Sequence, residues 1–248
     1  MEHLIELRKR LMWIIGGVMA CFCVLFFFAT DIFSILIWPV SVAAGKPAEL
    51  LYTAPHEFLF TQIKLALFGA IFLAFPIIAS QVYMFVAPGL YRHERSAFLP
   101  YLIATPILFL AGAFLVYFGL MPLAMKFFIG MEQKDGIAVI KMTLKVSEYL
   151  SFIMLLILAF GFCFQLPVIL TLLARIGLVT ADMLWDKFKY AVVIILIVAA
   201  TLTPPDLISQ IMLAVPTTLL YLLSIWSVRL MEKRRNDQST SDTEEDGL

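Results

Sequence analysis

The stretch Tyr190–Val228, YAVVIILIVAATLTPPDLISQIMLAVPTTLLYLLSIWSV, contains two apolar segments joined by the turn TPPD. The first, Tyr190 to Thr203, has 14 residues, and a helix of that length rises about 21 Å, against roughly 30 Å of membrane hydrocarbon. The second, Leu207 to Val228, follows directly after the turn. The sequence therefore predicts a membrane hairpin of two short spans, which would thin the bilayer locally or sit recessed from one face.

Four more apolar segments precede this hairpin in the 248-residue chain, in which 62% of residues are hydrophobic and 15% charged. A soluble domain of this length would carry more charge. The sequence thus predicts an all-α integral membrane protein with six transmembrane helices, at residues 11–38, 65–86, 98–121, 150–174, 190–203 and 207–228. The membrane domain would comprise residues 1–230, and the polar, acidic residues 231–248 would form a disordered tail.

Prolines interrupt most of these segments. Pro39 is expected to end the first span, and four others lie near the middle of a span (Pro76, Pro106, Pro167 and Pro216). Each proline removes the donor of the carbonyl four residues earlier, which in lipid must find another partner. Bent helices around a concave face are the expected result.

The net charge of zero hides a strong asymmetry between the two sides of the membrane. The predicted spans put 12 of the 18 basic residues on one side of the membrane and 6 on the other. Every arginine is in the larger set. Because cytoplasmic loops are enriched in Lys and Arg, both termini are predicted to be cytoplasmic. The absence of a basic surplus argues against binding to nucleic acid.

Motifs for catalysis are missing. The chain has no nucleotide-binding, zinc-protease or acyl-enzyme motif. Its three cysteines lie in apolar segments, where they are expected to pack as small apolar residues. No enzyme activity, metal or cofactor is therefore expected. A secondary transporter for a small solute or ion, with Gln165 and Asp206 as its polar site, is an alternative, but no internal repeat supports it.

Four polar residues have both a structural and a functional interpretation. Glu6 is placed to pair with Arg10 four residues later, and Glu94 lies among arginines, so both suit ordinary surface ion pairs. Gln165 lies at mid-span, where it suits either an interhelical hydrogen bond or a functional contact. Asp206 suits the N-cap of the last span.

Four motifs together resemble those of the TatC family of the twin-arginine protein translocase. They occur in the family's order and spacing: HLIELRKRL (His3–Leu11), FVAPGLYRHER (Phe85–Arg95), YLSF (Tyr149–Phe152) and LTPPDLISQ (Leu202–Gln210), the last including Pro204 and Pro205. The resemblance covers nearly the whole chain. It implies a glove-like scaffold of six spans that serves as a receptor for folded proteins carrying twin-arginine signal peptides.

The resemblance also implies roles for individual residues. The two glutamates that recognise the arginine pair in the family match Glu6 and Glu94, and neighbouring positions of the receptor surface match Arg8, Phe85 and Pro88. Pro39 matches a family proline in the first outer loop. Gln165 stands where many members have glutamate, facing partner helices, and it keeps hydrogen bonding without charge. Asp206 matches the family's acid after the double proline.

Partners and location are implied in the same way. The family acts with single-span TatA-type and TatB-type subunits and with other copies of itself, in the bacterial inner membrane. Its energy source is the proton-motive force, which agrees with the absence of a nucleotide motif.

Overall fold

The computed structural model describes residues 2–45, 50–86, 99–131, 143–202 and 207–245, and almost all of them are helical. The helices are α1 (Glu2–Phe27), α2 (Ala29–Ala44), α3 (Glu57–Val86), α4 (Leu99–Phe114), a π-helical segment (Leu115–Leu120), α5 (Met121–Gly130), α6 (Val146–Cys163), α7 (Leu166–Arg175), α8 (Ala181–Asp186), α9 (Phe188–Leu202) and α10 (Leu207–Glu245). Two short strands, β1 (Leu50–Leu51) and β2 (Leu144–Lys145), pair in parallel.

Five stretches of the described chain are long and apolar enough to cross a membrane: Leu4–Phe27, Glu57–Phe85, Tyr101–Gly130, Val146–Arg175 and Gln210–Lys233. The shorter α9 would complete the predicted six. The all-helical membrane fold is thereby confirmed. α9 has 15 residues, as expected for a short fifth span. The apolar part of α10 has 24 residues, so the sixth span is longer than predicted.

The chain forms two compact units, Met1–Gly161 and Phe162–Leu248. In the first unit α1 packs along α3, and the rings of Phe75 and Phe109 stack with centroids 3.8 Å apart. Gly161 leaves room for that stack, because a Cβ there would collide with the Phe109 ring. In the second unit α10 packs on α7, α8 and α9, and the Tyr221 hydroxyl donates to the Leu184 carbonyl.

The predicted first span, residues 11–38, is wrong as a single helix. The helical conformation breaks at Phe28, whose N–H bonds the Leu25 carbonyl at 3.1 Å in a tighter turn. α2 then begins at Ala29 with Asp31 in its first turn, where a carboxylate interacts favourably with the free N–H groups of a helix start. Asp31 thus favours a new helix over continuation of the old one.

Pro39 lies inside α2 and does not end it, contrary to prediction. Proline leaves the carbonyl of Ile35 without its helical donor, and the Tyr117 hydroxyl donates to that oxygen at 2.7 Å. The buried Tyr149 hydroxyl donates to the next carbonyl, that of Leu36, also at 2.7 Å. Two tyrosines from other helices therefore allow α2 to continue through its proline.

The π-helical segment places one of these tyrosines. It widens the helix between α4 and α5, and both Tyr117 and Phe118 contact the Trp38 ring. Trp38 stacks on Tyr117 with an interplanar angle of 12° and a centroid distance of 5.6 Å. Because π-turns are rare and costly, the aromatic contacts and the hydroxyl bond together account for this one.

Of the four other prolines, Pro76, Pro106 and Pro216 lie inside helices as predicted. Pro167 does not, since the predicted span 150–174 is divided between α6 and α7. It occupies the first turn of α7, where a missing N–H has no helical cost.

The acidic tail also differs from the prediction of disorder, because α10 continues to Glu245. The segment has no proline, and its first glycine is Gly247, so nothing in it stops a helix already begun in the preceding span.

Replacing Tyr117 with Phe tests how α2 tolerates its proline. We expect a loss of about 1 kcal/mol in unfolding free energy, because the Ile35 carbonyl loses its substitute donor in an apolar environment. In a Pro39→Ala background the restored amide can donate to that carbonyl, so the same Tyr117→Phe change should cost less. Thermal unfolding of the four proteins in detergent measures the difference. Equal losses in both backgrounds would contradict this account.

Candidate functional site

The N-terminal part of α1 carries the first predicted site residue, Glu6. Its Oε1 atom accepts a hydrogen bond from Nη2 of Arg10 at 2.9 Å, one helical turn later. The two side chains are 31% and 26% exposed, so the pair is only partly open to solvent. The ordinary ion pair expected from sequence is therefore present, and it is itself a contact between a carboxylate and a guanidinium.

Arg10 also connects α1 to the end of α3. Its Nη1 atom lies 3.4 Å from Gln81 Oε1 and 3.4 Å from Met84 Sδ, and its Nη2 atom lies 3.5 Å from the Met84 carbonyl. α3 ends at Val86, so this carbonyl belongs to the last turn, where the helix supplies no further donors. The negative end of the helix dipole favours a cation there.

Around the pair lies a groove of about 600 Å³, lined by Ile5, Glu6, Lys9, Arg10, Trp13 and Gln81. Ile5 and Trp13 are about two-thirds exposed, so the groove joins apolar walls to a carboxylate. A second groove of about 560 Å³ follows the neighbouring face of α1 and includes Arg8 with Met12 and Gly16. Arg8 thus borders the surface on which Glu6 lies.

Phe85 lies in the last turn of α3, one residue beyond Met84, and is partly buried. The sequence-predicted site residues Pro88 and Glu94 fall in 87–98, outside the described residues. The structure therefore brings the Glu6–Arg10 pair next to the end of α3, the last described helix before Glu94 in the sequence.

The intramembrane residue Gln165 lies between α6 and α7, where the helix breaks. Its side chain is 6% exposed and does not cap α7, while its backbone N–H bonds the Phe162 carbonyl at 2.9 Å. The helix break, which the sequence did not predict, gives this buried amide its position. The predicted residues Pro204, Pro205 and Asp206 lie outside the described part of the chain.

Comparison with known proteins identifies the family. The family model for "Sec-independent protein translocase protein (TatC)" matches residues 2–216. The chain belongs to the TatC family. It is 44% identical to TatC of Magnetococcus marinus over 241 residues, covering 97% of this chain and 88% of the relative. It is 40% identical to TatC of Rickettsia prowazekii over 235 residues, covering 94% of both.

A solved structure agrees with the sequence relatives. The crystal structure of a twin-arginine translocase receptor, TatC, matches with a TM-score of 0.81 and 36% identity, covering 92% of this chain and 98% of that one. This TatC family member is a multi-pass membrane protein with a role in the Tat translocase, a protein transport system.

One residue of this TatC chain with many hydrogen bonds, Glu57, is not among the site residues predicted from the sequence. Its side chain is 7% exposed at the start of α3. Oε2 accepts hydrogen bonds from the Thr53 N–H at 2.8 Å, the Thr53 hydroxyl at 3.0 Å and the Ala54 N–H at 3.3 Å. Oε1 lies 3.4 Å from the Ser147 N–H in the first turn of α6. One carboxylate therefore joins the starts of two helices and the loop between β1 and α3.

A signal for Glu57 does exist in the sequence. Thr53 and Pro55 form a turn directly before it, and an acidic residue after such a turn is typical of the first turn of a helix. The predicted second span began eight residues later, at Leu65, because hydropathy rises there. The helix begins earlier because its first turn is held by polar contacts, which hydropathy does not detect.

Glu57→Gln should lower the thermal stability of the first unit. A neutral amide is a weaker acceptor, and its NH₂ group would face backbone N–H donors. The control is Glu148→Gln, which removes the same charge from a 77% exposed side chain in the first turn of α6. Thermal unfolding in detergent and proteolysis of residues 50–56 are the measurements. Equal unfolding temperatures for the two variants would show that Glu57 does not hold the two helix starts together.

Proposed function

We propose that this chain is the receptor subunit of the translocase and binds twin-arginine signal peptides through Glu6. The observation that carries the proposal is the 2.9 Å hydrogen bond between Glu6 and a guanidinium in an accessible groove. The site already forms, within the chain, the type of contact that an arginine of a signal peptide would make. The likeness to the crystal structure of a twin-arginine translocase receptor supports the same role.

Arginine suits this groove better than lysine does. A guanidinium can donate two parallel hydrogen bonds to a carboxylate, whereas an ammonium acts as a compact point charge. The exposed Trp13 and Ile5 provide surfaces on which the aliphatic stem or the planar head of an arginine can pack. These features favour a ligand with arginine over the same ligand with lysine.

We assign the second arginine of the pair to Glu94, with Phe85 and Pro88 at the edge of the site and Arg8 beside it. Seven residues lie between Val86 at the end of α3 and Glu94, which makes eight Cα–Cα steps. A chain of that length spans up to about 28 Å, so the loop is long enough to return to Glu6. Glu6 lines one groove with Gln81, and its partner Arg10 contacts Met84 in the last turn of α3, which supports this arrangement.

The distribution of basic residues supports cytoplasmic termini. On this proposal the protein lies in the inner membrane, with the groove on the side where signal peptides are presented. On this proposal the subunit scaffolds assembly with TatA-type and TatB-type subunits and with further copies of itself. Transport of the folded cargo would be driven by the proton-motive force.

Glu6→Ala should weaken binding of a twin-arginine peptide about tenfold, as expected for loss of one charge-assisted hydrogen bond, and adding Glu94→Ala should weaken it further. Crosslinking and titration with Arg-Arg and Lys-Lys peptides are the measurements. Asp182→Ala is the control, since Asp182 is exposed and pairs with Arg229 at 3.7 Å. Undiminished crosslinking to the double variant would remove Glu6 and Glu94 from the site.

Gln165→Leu should disturb association with partner subunits while the protein still inserts, because it removes a buried amide from the break between α6 and α7. Gln165→Glu keeps a polar side chain and should preserve assembly. Copurification of the partner subunits and export of a folded cargo are the measurements. Normal assembly and export with Gln165→Leu would leave the residue with a structural role alone.

A further inference from the structure

We propose that Arg10 is an internal competitor for Glu6, which an arginine of the signal peptide must displace. The inference rests on the proposed function, because it concerns the same carboxylate. In the receptor without a peptide, Arg10 pairs with the Glu6 carboxylate. This internal pair lowers the measured affinity for a signal peptide.

The geometry of the pair shows why it can be displaced. Arg10 reaches Glu6 through one contact, from Nη2 to Oε1 at 2.9 Å, and the pair is partly exposed to solvent. Pairs of this kind, four residues apart on a helix surface, are weak. A guanidinium arriving from outside can bind both carboxylate oxygens and thereby form the stronger contact.

Arg10 also has other acceptors within reach. Gln81 Oε1, Met84 Sδ and the Met84 carbonyl lie 3.4 to 3.5 Å from its two terminal nitrogens. Each of these contacts is longer than the one to Glu6, so each has room to shorten. An Arg10 released from Glu6 would therefore remain paired at the end of α3, and its displacement would not leave a buried charge without a partner.

The other bases of this segment do not have the same arrangement. Lys9 borders the groove, yet within the described residues it forms no ion pair with Glu6. Lys9 therefore supplies a control with the same charge in the same turn. Long-range repulsion of a cationic peptide would be relieved equally by removing either charge, whereas competition for the carboxylate is relieved only by removing Arg10.

The test is titration of a fluorescent Arg-Arg signal peptide into the full-length protein in detergent. Arg10→Gln should tighten binding about two- to fivefold, the range that corresponds to a weak surface pair, and Arg10→Lys, which keeps a cation, should change it less. Lys9→Gln, which removes a charge from the same groove without freeing Glu6, should give a smaller gain than Arg10→Gln. In a Glu6→Ala background, Arg10→Gln should give no gain.

Because a competitor affects all ligands alike, the preference for Arg-Arg over Lys-Lys should be the same with and without Arg10.

Three results would overturn the inference: weaker or unchanged binding to Arg10→Gln with an unaltered unfolding temperature, an equal gain with Lys9→Gln, or a gain that persists without Glu6. The unfolding temperature separates loss of the α1–α3 contact from loss of competition. Failure of the proposed function would look different, since the unaltered protein would then bind Arg-Arg and Lys-Lys peptides equally well and Glu6→Ala would have no effect.

Discussion

Backbone carbonyls inside a membrane need donors from the protein, and this requirement governs much of the architecture. Pro39 deprives the Ile35 carbonyl of its helical donor, and the Tyr117 hydroxyl replaces that donor while the Tyr149 hydroxyl donates to the next carbonyl, that of Leu36. Threonine and serine hydroxyls bond carbonyls four residues earlier in the same helix, as Thr217 does to Leu213 and Ser224 to Leu220. Lipid cannot supply such bonds, so the passage of α2 through Pro39 depends on hydroxyl groups from other helices.

Charged side chains form polar clusters at the ends of helices. α3 carries one polar cluster at each end: Glu57 with its backbone donors at the start, and the contacts of Arg10 with Gln81 and Met84 near the end. The 24 residues between Glu57 and Gln81 correspond to about 36 Å of helix. The Glu6 groove thus rests on a helix whose other end is fixed by a buried carboxylate.

The sequence was sufficient for features that depend on hydropathy and charge. The short fifth span was predicted from its flanking lysines and prolines, and the Glu6–Arg10 ion pair from its four-residue spacing. The role of Glu6 in binding, which its motif implies, stays a prediction. The helix break at Phe28 was not predicted, because hydropathy does not detect a local turn inside an apolar segment. The continuation of α2 through Pro39 was not predicted either, because it depends on Tyr117 and Tyr149, which are distant in sequence. Glu57 was missed for the same reason: its partner Ser147 is 90 residues away. The sequence indicated Gln165 as a polar residue within a span. It did not predict the helix break at which Gln165 lies, because that break depends on packing.

The π-helical segment Leu115–Leu120 divides the third span into two parts that do not share a helical phase. One additional residue in a turn rotates everything after it by about 100° relative to an unbroken helix. The face of α5 that packs on α2 therefore cannot be projected from α4 by continuing a single helical wheel. For alignment and for engineering, the span is better treated as two independent helices. Deletion of one residue within the π-helical segment would turn α5 away from α2. The composition and the apolar length of the span would be almost unchanged.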